Sequence, residues 1–476
     1  MIKSKKILAC LLALSMMSLS LVACGGKDTS SSSSGNSDSG AAASTETSST
    51  ETSKTNSSSS GERVTVTTSL GEGELSADLV AEFEAEHPNI KIEFVVLDDA
   101  KLAAQLATGT APDVLRVSGA FDTAAYAIKG IAMDLTERIE NSELIDLNDL
   151  LPIANVYRFD GKKVGQGPIY GLPKDWSNDF ALFYNKRCFE AAGVEVPDES
   201  KALTWPEVME LAKKLTIMDG DQVVQYGLAA NEWGQTHANF NLLMQYLASA
   251  GVSLSSDDFK SVNFDQQPVR DFITMWVDAV KSGVGPSALN NDQTSGGDLF
   301  LSDRAALMIN GYWYSGVIRG NADTQTHLDD FGMLPTPIAP GGNRVAATGG
   351  ATGCVIYKGT KHPDEAWTFF EWVFAGKPAD ERAKTGWGMP IFKSKLSLLP
   401  QETNFDKQVY NVLQDEMKYQ NDFLAVNPYL AGGGWGIFEK YYVPLLFDQE
   451  TIDGAIEGMT KDANVVITEA INALSN

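Results

Sequence analysis

Val64-Thr65-Val66-Thr67 alternates branched apolar with polar residues, the period of a half-buried strand. Leu75, Leu79, Val80 and Phe83 then recur at helical spacing as far as Pro88, where a fixed ring and a missing N–H stop a helix. Ile90 to Leu97 reads as a second strand, Leu102 and Leu106 mark a short helix closed by Gly109, and Pro112 to Val117 supplies a third strand. Strands alternating with helices at this spacing predict an α/β fold with parallel sheet. Further on, Thr204-Trp205-Pro206-Glu207 opens a helix as a capping box, with Val208, Leu211, Ala212 and Leu215 as its apolar face.

Upstream of this pattern the chain changes character. Lys3, Lys5 and Lys6 precede an apolar run from Ile7 to Ala23, shorter than the roughly 20 residues that span a bilayer and typical of a secretory signal. It ends in Leu21-Val22-Ala23-Cys24-Gly25-Gly26, which resembles the lipobox of bacterial lipoproteins. That resemblance implies a signal peptide over 1–23 and a lipid on Cys24, the new N-terminus. A diacylglyceryl group brings two chains, enough for stable anchoring where one chain is marginal. Residues 25–61 hold 15 Ser, 6 Thr and 5 Gly and no aliphatic side chain larger than Ala. Such a segment cannot bury enough surface to offset its chain entropy, so 24–61 is expected to be a flexible, lipid-anchored tether with a mean span of about 30–36 Å.

The 476 residues carry 37 Lys plus Arg against 62 Asp plus Glu, a net charge of −25. Removing the signal takes this to −28, and residues 62–476 alone carry −26. This acidity argues against nucleic acid, which needs a basic stripe, and against an anionic solute in the absence of a local basic cluster. No such cluster is visible in the sequence. Only Cys188 and Cys354 belong to the folded body, far apart and outside any C-x-x-C motif, so neither a metal nor a redox motif is indicated. They could pair or remain separately buried thiols. Zinc-protease, serine-hydrolase and P-loop signatures are missing, and no catalytic residue, metal site or cofactor is expected.

The nine tryptophans sort by context. Trp205, Trp276, Trp367 and Trp372 fall in amphipathic helix patterns, where packing explains them. Trp176, Trp233, Trp313, Trp387 and Trp435 lie beside Gly, Ser, Asn or Asp, as in Asp175-Trp176-Ser177-Asn178, Glu232-Trp233-Gly234 and Gly311-Tyr312-Trp313. Flat indole faces next to carboxylates and amides suit a sugar ring, which offers C–H faces to stack and hydroxyls to bond.

Tyr170-Gly171-Leu172-Pro173-Lys174-Asp175, Ala181-Leu182-Phe183-Tyr184-Asn185-Lys186 and Ala192-Gly193-Val194 resemble the extracellular solute-binding proteins of ABC importers, in the carbohydrate branch similar to maltose-binding protein. The capping box at Thr204, the run Phe300-Leu301 through Arg304-Ala305-Ala306-Leu307-Met308 to Gly311-Tyr312-Trp313, then Leu334-Pro335-Thr336-Pro337, Gly349-Gly350 and His362-Pro363-Asp364-Glu365-Ala366-Trp367 continue the likeness in order. The resemblance implies a solute-binding domain over 62–476 with a two-lobed periplasmic-binding-protein-like α/β fold, each lobe discontinuous. One lobe would hold about 62–176 and 343–384, the other about 177–342 and 385–476, with hinge strands between.

It also implies a ligand cleft. Asp175, Trp176 and Asn178 would line the crossing segment, Glu232 and Trp233 the second lobe, Trp313 the central stacking position and Trp435 a late aromatic one. Trp387 joins them by context, while Ser69, Ser118 and Gly350 belong to first-lobe loops facing the cleft. Ser118-Gly119-Ala120 stands where maltose binders carry charged or aromatic groups, so the resemblance does not name the particular sugar. The expected function is capture of a sugar or oligosaccharide by hinged closure and delivery to a membrane permease. The protein would be a monomer held at the outer face of the cell membrane by its lipid alone. A cationic or peptide solute, or a lipid-anchored glycoside hydrolase, are the rivals.

Overall fold

The computed structural model describes residues 63–474 apart from 72, 231, 233, 291, 346–350, 421–425 and 431–432. The expected signal, the lipidation site Cys24 and the tether lie outside the described residues, as do Trp233 and Gly350.

The chain first lays down β1 (Val64–Thr68), β2 (Ile90–Phe94) and β3 (Val114–Ser118), then a ribbon of β4 (Arg158–Phe159) and β5 (Val164–Ile169), and β6 (Gly171–Pro173). β7 (Ala181–Asn185), β8 (Ile217–Asp219), β9 (Gln222–Ala229), β10 (Ala305–Asn310) and β11 (Phe331–Leu334) follow, and β12 (Thr352–Ile356) comes last. They form two five-stranded sheets, ordered β2-β1-β3-β12-β6 and β11-β7-β10-β9-β8. Each sheet anchors one lobe.

Local signals place the first elements. Ser76 caps the helix Ala77–Glu86, and Asp98 caps Asp99–Thr108, which Gly109 ends in the left-handed region at φ 69°. Only glycine enters that region without a Cβ penalty. The capping box is formed both ways: Thr204 N–H donates to Glu207 Oε2 at 2.7 Å and Glu207 N–H to Thr204 Oγ1 at 3.4 Å.

β1 pairs in parallel with β2 and β3, and β9 with β10. Elsewhere the sheets are mixed. β12 follows the strands of the second sheet in the chain, and it pairs antiparallel to β3 and β6. β7 is antiparallel to both β10 and β11. The second sheet is covered on both faces, so β7 and β10 are buried throughout. Leu182 and Tyr184 enter one core while Phe183 enters the other, the period-2 alternation of a strand.

Both lobes are discontinuous. β12 completes the first sheet, and the C-terminal helices Gly433–Leu446 and Ile452–Leu474 put Phe438, Tyr442, Ile456 and Met459 into the second-lobe core with Phe272 and Trp276. The return to the second lobe comes later than the expected 385. After the helix Lys377–Thr385, Gly386 at φ 67° turns the chain back. Trp176 and Met389 then exchange backbone hydrogen bonds at 2.8 Å each, Leu151 N–H donates to Ile391 O at 2.8 Å, and Lys393 N–H to Asp149 O at 2.8 Å. These bonds keep the chain on the first-lobe side through Lys393. The next long helix, Asn404–Glu416, belongs to the second sheet, where Gln408 accepts from Met333 N–H at 2.8 Å and donates to Met333 O at 2.7 Å.

Candidate ligand-binding site

Residues 174–180 leave the first sheet at β6 and enter the second at β7. Successive side chains of an extended segment point to opposite sides, and residues 175–179 obey the rule, while Lys174 and Phe180 at the two ends also line the cavity. Asp175, Ser177 and Asp179 line a cavity of about 650 Å³, whereas Trp176 and Asn178 point away from it and are fully buried. Both faces align the neighbouring loop: Asn178 Oδ1 accepts from Tyr312 N–H at 3.1 Å on the hidden side, and Ser177 Oγ from Trp313 N–H at 3.1 Å on the cavity side. Gly311 permits this approach, since a β-carbon there would collide with Ser177 Oγ and Asp179 Oδ1. Gly388 likewise lets the Trp387–Met389 backbone lie against Asp175, whose Cβ is 2.6 Å from where a substituent would sit.

One wall of the cavity is a self-paired charge cluster from the first lobe. Lys174 Nζ lies 2.7 Å from Asp175 Oδ2 and 3.3 Å from Glu74 Oε1, and Arg116 Nε lies 2.9 Å from Glu74 Oε2. Burial works against the Glu74 charge, but Lys174 and Arg116 outweigh it and hold its pKa below the ordinary value. Thr352 of β12 completes this side.

The rest of the lining is aromatic and acidic. Trp313 and Trp387 lie with ring centroids 5.6 Å apart at 47°, and Trp387 and Trp435 are 41 % and 40 % exposed. Exposure of two indoles on one cavity is unusual for side chains that otherwise dominate cores. Asn239, Asn241 and Asn310 add amides. Burial, then the charges of Asp175 and Glu232, push the Asp179 carboxyl up to about 7, and burial raises Glu232. Asp179 Oδ1 is buried without a hydrogen-bond partner.

Of the residues expected from sequence, Asp175, Glu232, Trp313, Trp387 and Trp435 meet at this cavity. Trp176 does not reach it: its indole is 0 % exposed and its backbone is bridged to Met389. Asn178 is spent on Tyr312 N–H. Ser69 Oγ accepts from Arg116 N–H at 2.9 Å, Ser118 N–H donates to Asp122 Oδ2 at 2.7 Å, and neither serine lines the cavity. Sequence reasoning missed Glu74, Arg116, Lys174 and Asp179. Arg116 carried a signal, a lone charge in the apolar strand Val114-Leu115-Arg116-Val117, and Asp179 another, two positions beyond Ser177 on the face of Asp175. The local basic cluster sought in the sequence exists in space as Arg116 with Lys174, but both are engaged by acids. Cys188 and Cys354 are free and buried.

Two discontinuous α/β lobes, crossing segments between them and a cavity at the crossing define a two-lobed binding protein. The chain belongs to the bacterial extracellular solute-binding protein family, which residues 67–377 match. A mannitol-binding protein of Pseudomonas aeruginosa is 27 % identical over 235 residues, 48 % of this chain and 49 % of the relative, so the match spans about half of that protein. An uncharacterised lipoprotein of Streptomyces antibioticus is 27 % identical over 279 residues, 56 % of each chain. Among solved structures, an ABC substrate-binding protein of Listeria monocytogenes in complex with cycloalternan superposes with a TM-score of 0.66 at 22 % identity, covering 86 % of this chain and 99 % of that one. This last likeness is one of fold. Among the described residues no helix is long and apolar enough to cross a membrane.

Proposed function

We propose that the protein captures a sugar or oligosaccharide outside the cell and delivers it to the permease of an ABC importer, with no covalent step. The observation that carries this reading is the convergence of Trp313, Trp387 and Trp435 with carboxylates and amides on one cavity of about 650 Å³, a size common for small-ligand sites. Indoles stack on sugar C–H faces, and Asp175, Glu232 and the asparagines bond hydroxyls. The mannitol and cycloalternan of the relatives point to the same ligand class. Contacts from both lobes would favour a closed form. Trp176 and Asn178 act from behind, holding the crossing segment and the Trp313 loop. The lipid on Cys24 and the serine-rich tether over 24–61 keep a monomeric body at the outer membrane face.

Titration calorimetry against mono- and oligosaccharides tests this. Saturable sugar binding that fails in a Trp313→Ala, Trp387→Ala double variant is the expected result. Release of shorter products from an incubated oligosaccharide would instead identify a hydrolase, and tight binding of peptides alone would remove the sugar assignment.

A further inference from the structure

The charges around the cavity do not balance in the same way on its two sides. Glu74 and Asp175 on the first-lobe wall are matched by Arg116 and Lys174, all four in mutual contact. Asp179 and Glu232 line the same cavity and the Glu232 charge acts on Asp179, yet Ser177 and Asn310 beside them are neutral, and no base among the described lining residues remains for them. Lys174, whose field reaches Asp179, is already held by Asp175 and Glu74. Asp179 Oδ1 is buried and has no hydrogen-bond partner. A buried acceptor left open costs free energy that a donor from outside recovers, and two facing carboxylates repel until a cation separates them.

We propose that the solute carries a protonated amine, seated between Asp179 and Glu232. Resting on the sugar reading above, this makes the ligand an amino sugar or an oligosaccharide containing one. Its rings lie on Trp313, Trp387 and Trp435 and its ammonium group donates to the two acids. A charge-assisted hydrogen bond is stronger than one from a neutral hydroxyl, so the amine is the recognition group and the ring the supporting surface. The paired wall of Lys174, Arg116, Glu74 and Asp175 offers no such preference because its charges already cancel.

The test compares ligands that differ only in that group: glucosamine oligomers against glucose oligomers of the same linkage and length, by calorimetry on the wild-type protein, Asp179→Asn and Glu232→Gln. The amine-bearing series should bind about tenfold tighter or better, and each variant should shrink the gap by weakening the amine-bearing series more than the neutral one. Equal affinity for the two series, or a gap that survives in both variants, would overturn the assignment and leave the sugar reading intact. Spermidine binding lost in both variants, with no sugar of either kind bound, would support the amine seat and remove the sugar reading. Thermal unfolding of each variant with and without ligand separates loss of the seat from loss of the fold.

Discussion

The two walls of the cavity are both built from polar side chains, but they deal with charge in opposite ways. On the first-lobe side Lys174 sits between Asp175 and Glu74, and Arg116 secures Glu74 again. The crossing segment is thereby tied to β3 and to the turn after β1. Elsewhere on the lining Asp179 and Glu232 have no base left to them among the described residues, and the indoles of Trp387 and Trp435 are exposed. The difference separates holding the scaffold from holding a solute: satisfied charges rigidify, whereas unsatisfied acceptors and exposed aromatic faces await a partner.

The largest effect should come from breaking the paired wall. Lys174 is 5 % exposed at its side chain, with Asp175 at 8 % and Glu74 at 17 %. Lys174→Met strands the buried Asp175 carboxylate and leaves Glu74 with Arg116 alone, and removing one partner of a buried ion pair costs ~3–5 kcal/mol. Urea unfolding should show the midpoint falling accordingly. A loss under about 1 kcal/mol, the range of exposed pairs, would mean that the wall is held by packing and not by its charges.

A pH series sharpens the contrast, because the two walls titrate with opposite sign. Asp179 keeps its proton in the folded state up to about pH 7, whereas unfolded it loses it near 3.8. Its contribution to stability therefore falls as pH rises through that window and is constant above it. Glu74, held below 4.5 by Lys174 and Arg116 despite burial, stabilises above its unfolded pKa and loses that contribution as pH falls. Subtracting the stability curves of Asp179→Asn and Glu74→Gln from that of the wild type should give slopes of opposite sign. Like signs would end the distinction between the walls.

Ligand contact is the next test in size. Replacing one stacking indole, as in Trp387→Ala, should weaken sugar binding about two- to tenfold, the equivalent of ~0.5–1.5 kcal/mol per aromatic contact. Its 41 % exposure means that little packing is lost with it. Trp176→Ala should do the reverse, with a large drop in stability, since that side chain is wholly buried.

That pair also shows what a sequence can and cannot disclose. Trp176 and Trp387 sit in similar surroundings, Asp-Trp-Ser and Gly-Trp-Gly, and both read as loop aromatics. Residue type and neighbours record that a segment is irregular; they do not record which side of it faces the cavity. Along 175–179 the answer is set by the pairing of Trp176 with Met389, a contact across more than 200 positions. The charge cluster was hidden for the same reason, since Glu74 and Arg116 are 42 residues apart. Local features fared better. The strands and helices from Val64 to Val117 and the Thr204 capping box rest on patterns within a few residues, and they could be read directly. Sheet direction and the return of the chain after Lys393 depend on distant partners and could not.

The smallest expected effect concerns the one residue type that the two lobes share without joining. Cys354 lies in β12 of the first sheet and Cys188 in the helix Lys186–Ala192 of the second lobe, both free and buried. Burial, aided by the Asp303 charge, pushes the Cys188 thiol up to about 12, and burial raises Cys354 as well. Neither is a thiolate at neutral pH, so neither should react while the fold is intact. A thiol reagent should therefore find no reactive group in folded residues 62–476, and both groups after denaturation. Adding a reductant should leave the melting temperature unchanged. A drop of several degrees on reduction would reveal a bond between the lobes, and hinged closure around the cavity would then be constrained by a covalent tie instead of being governed by the two walls alone.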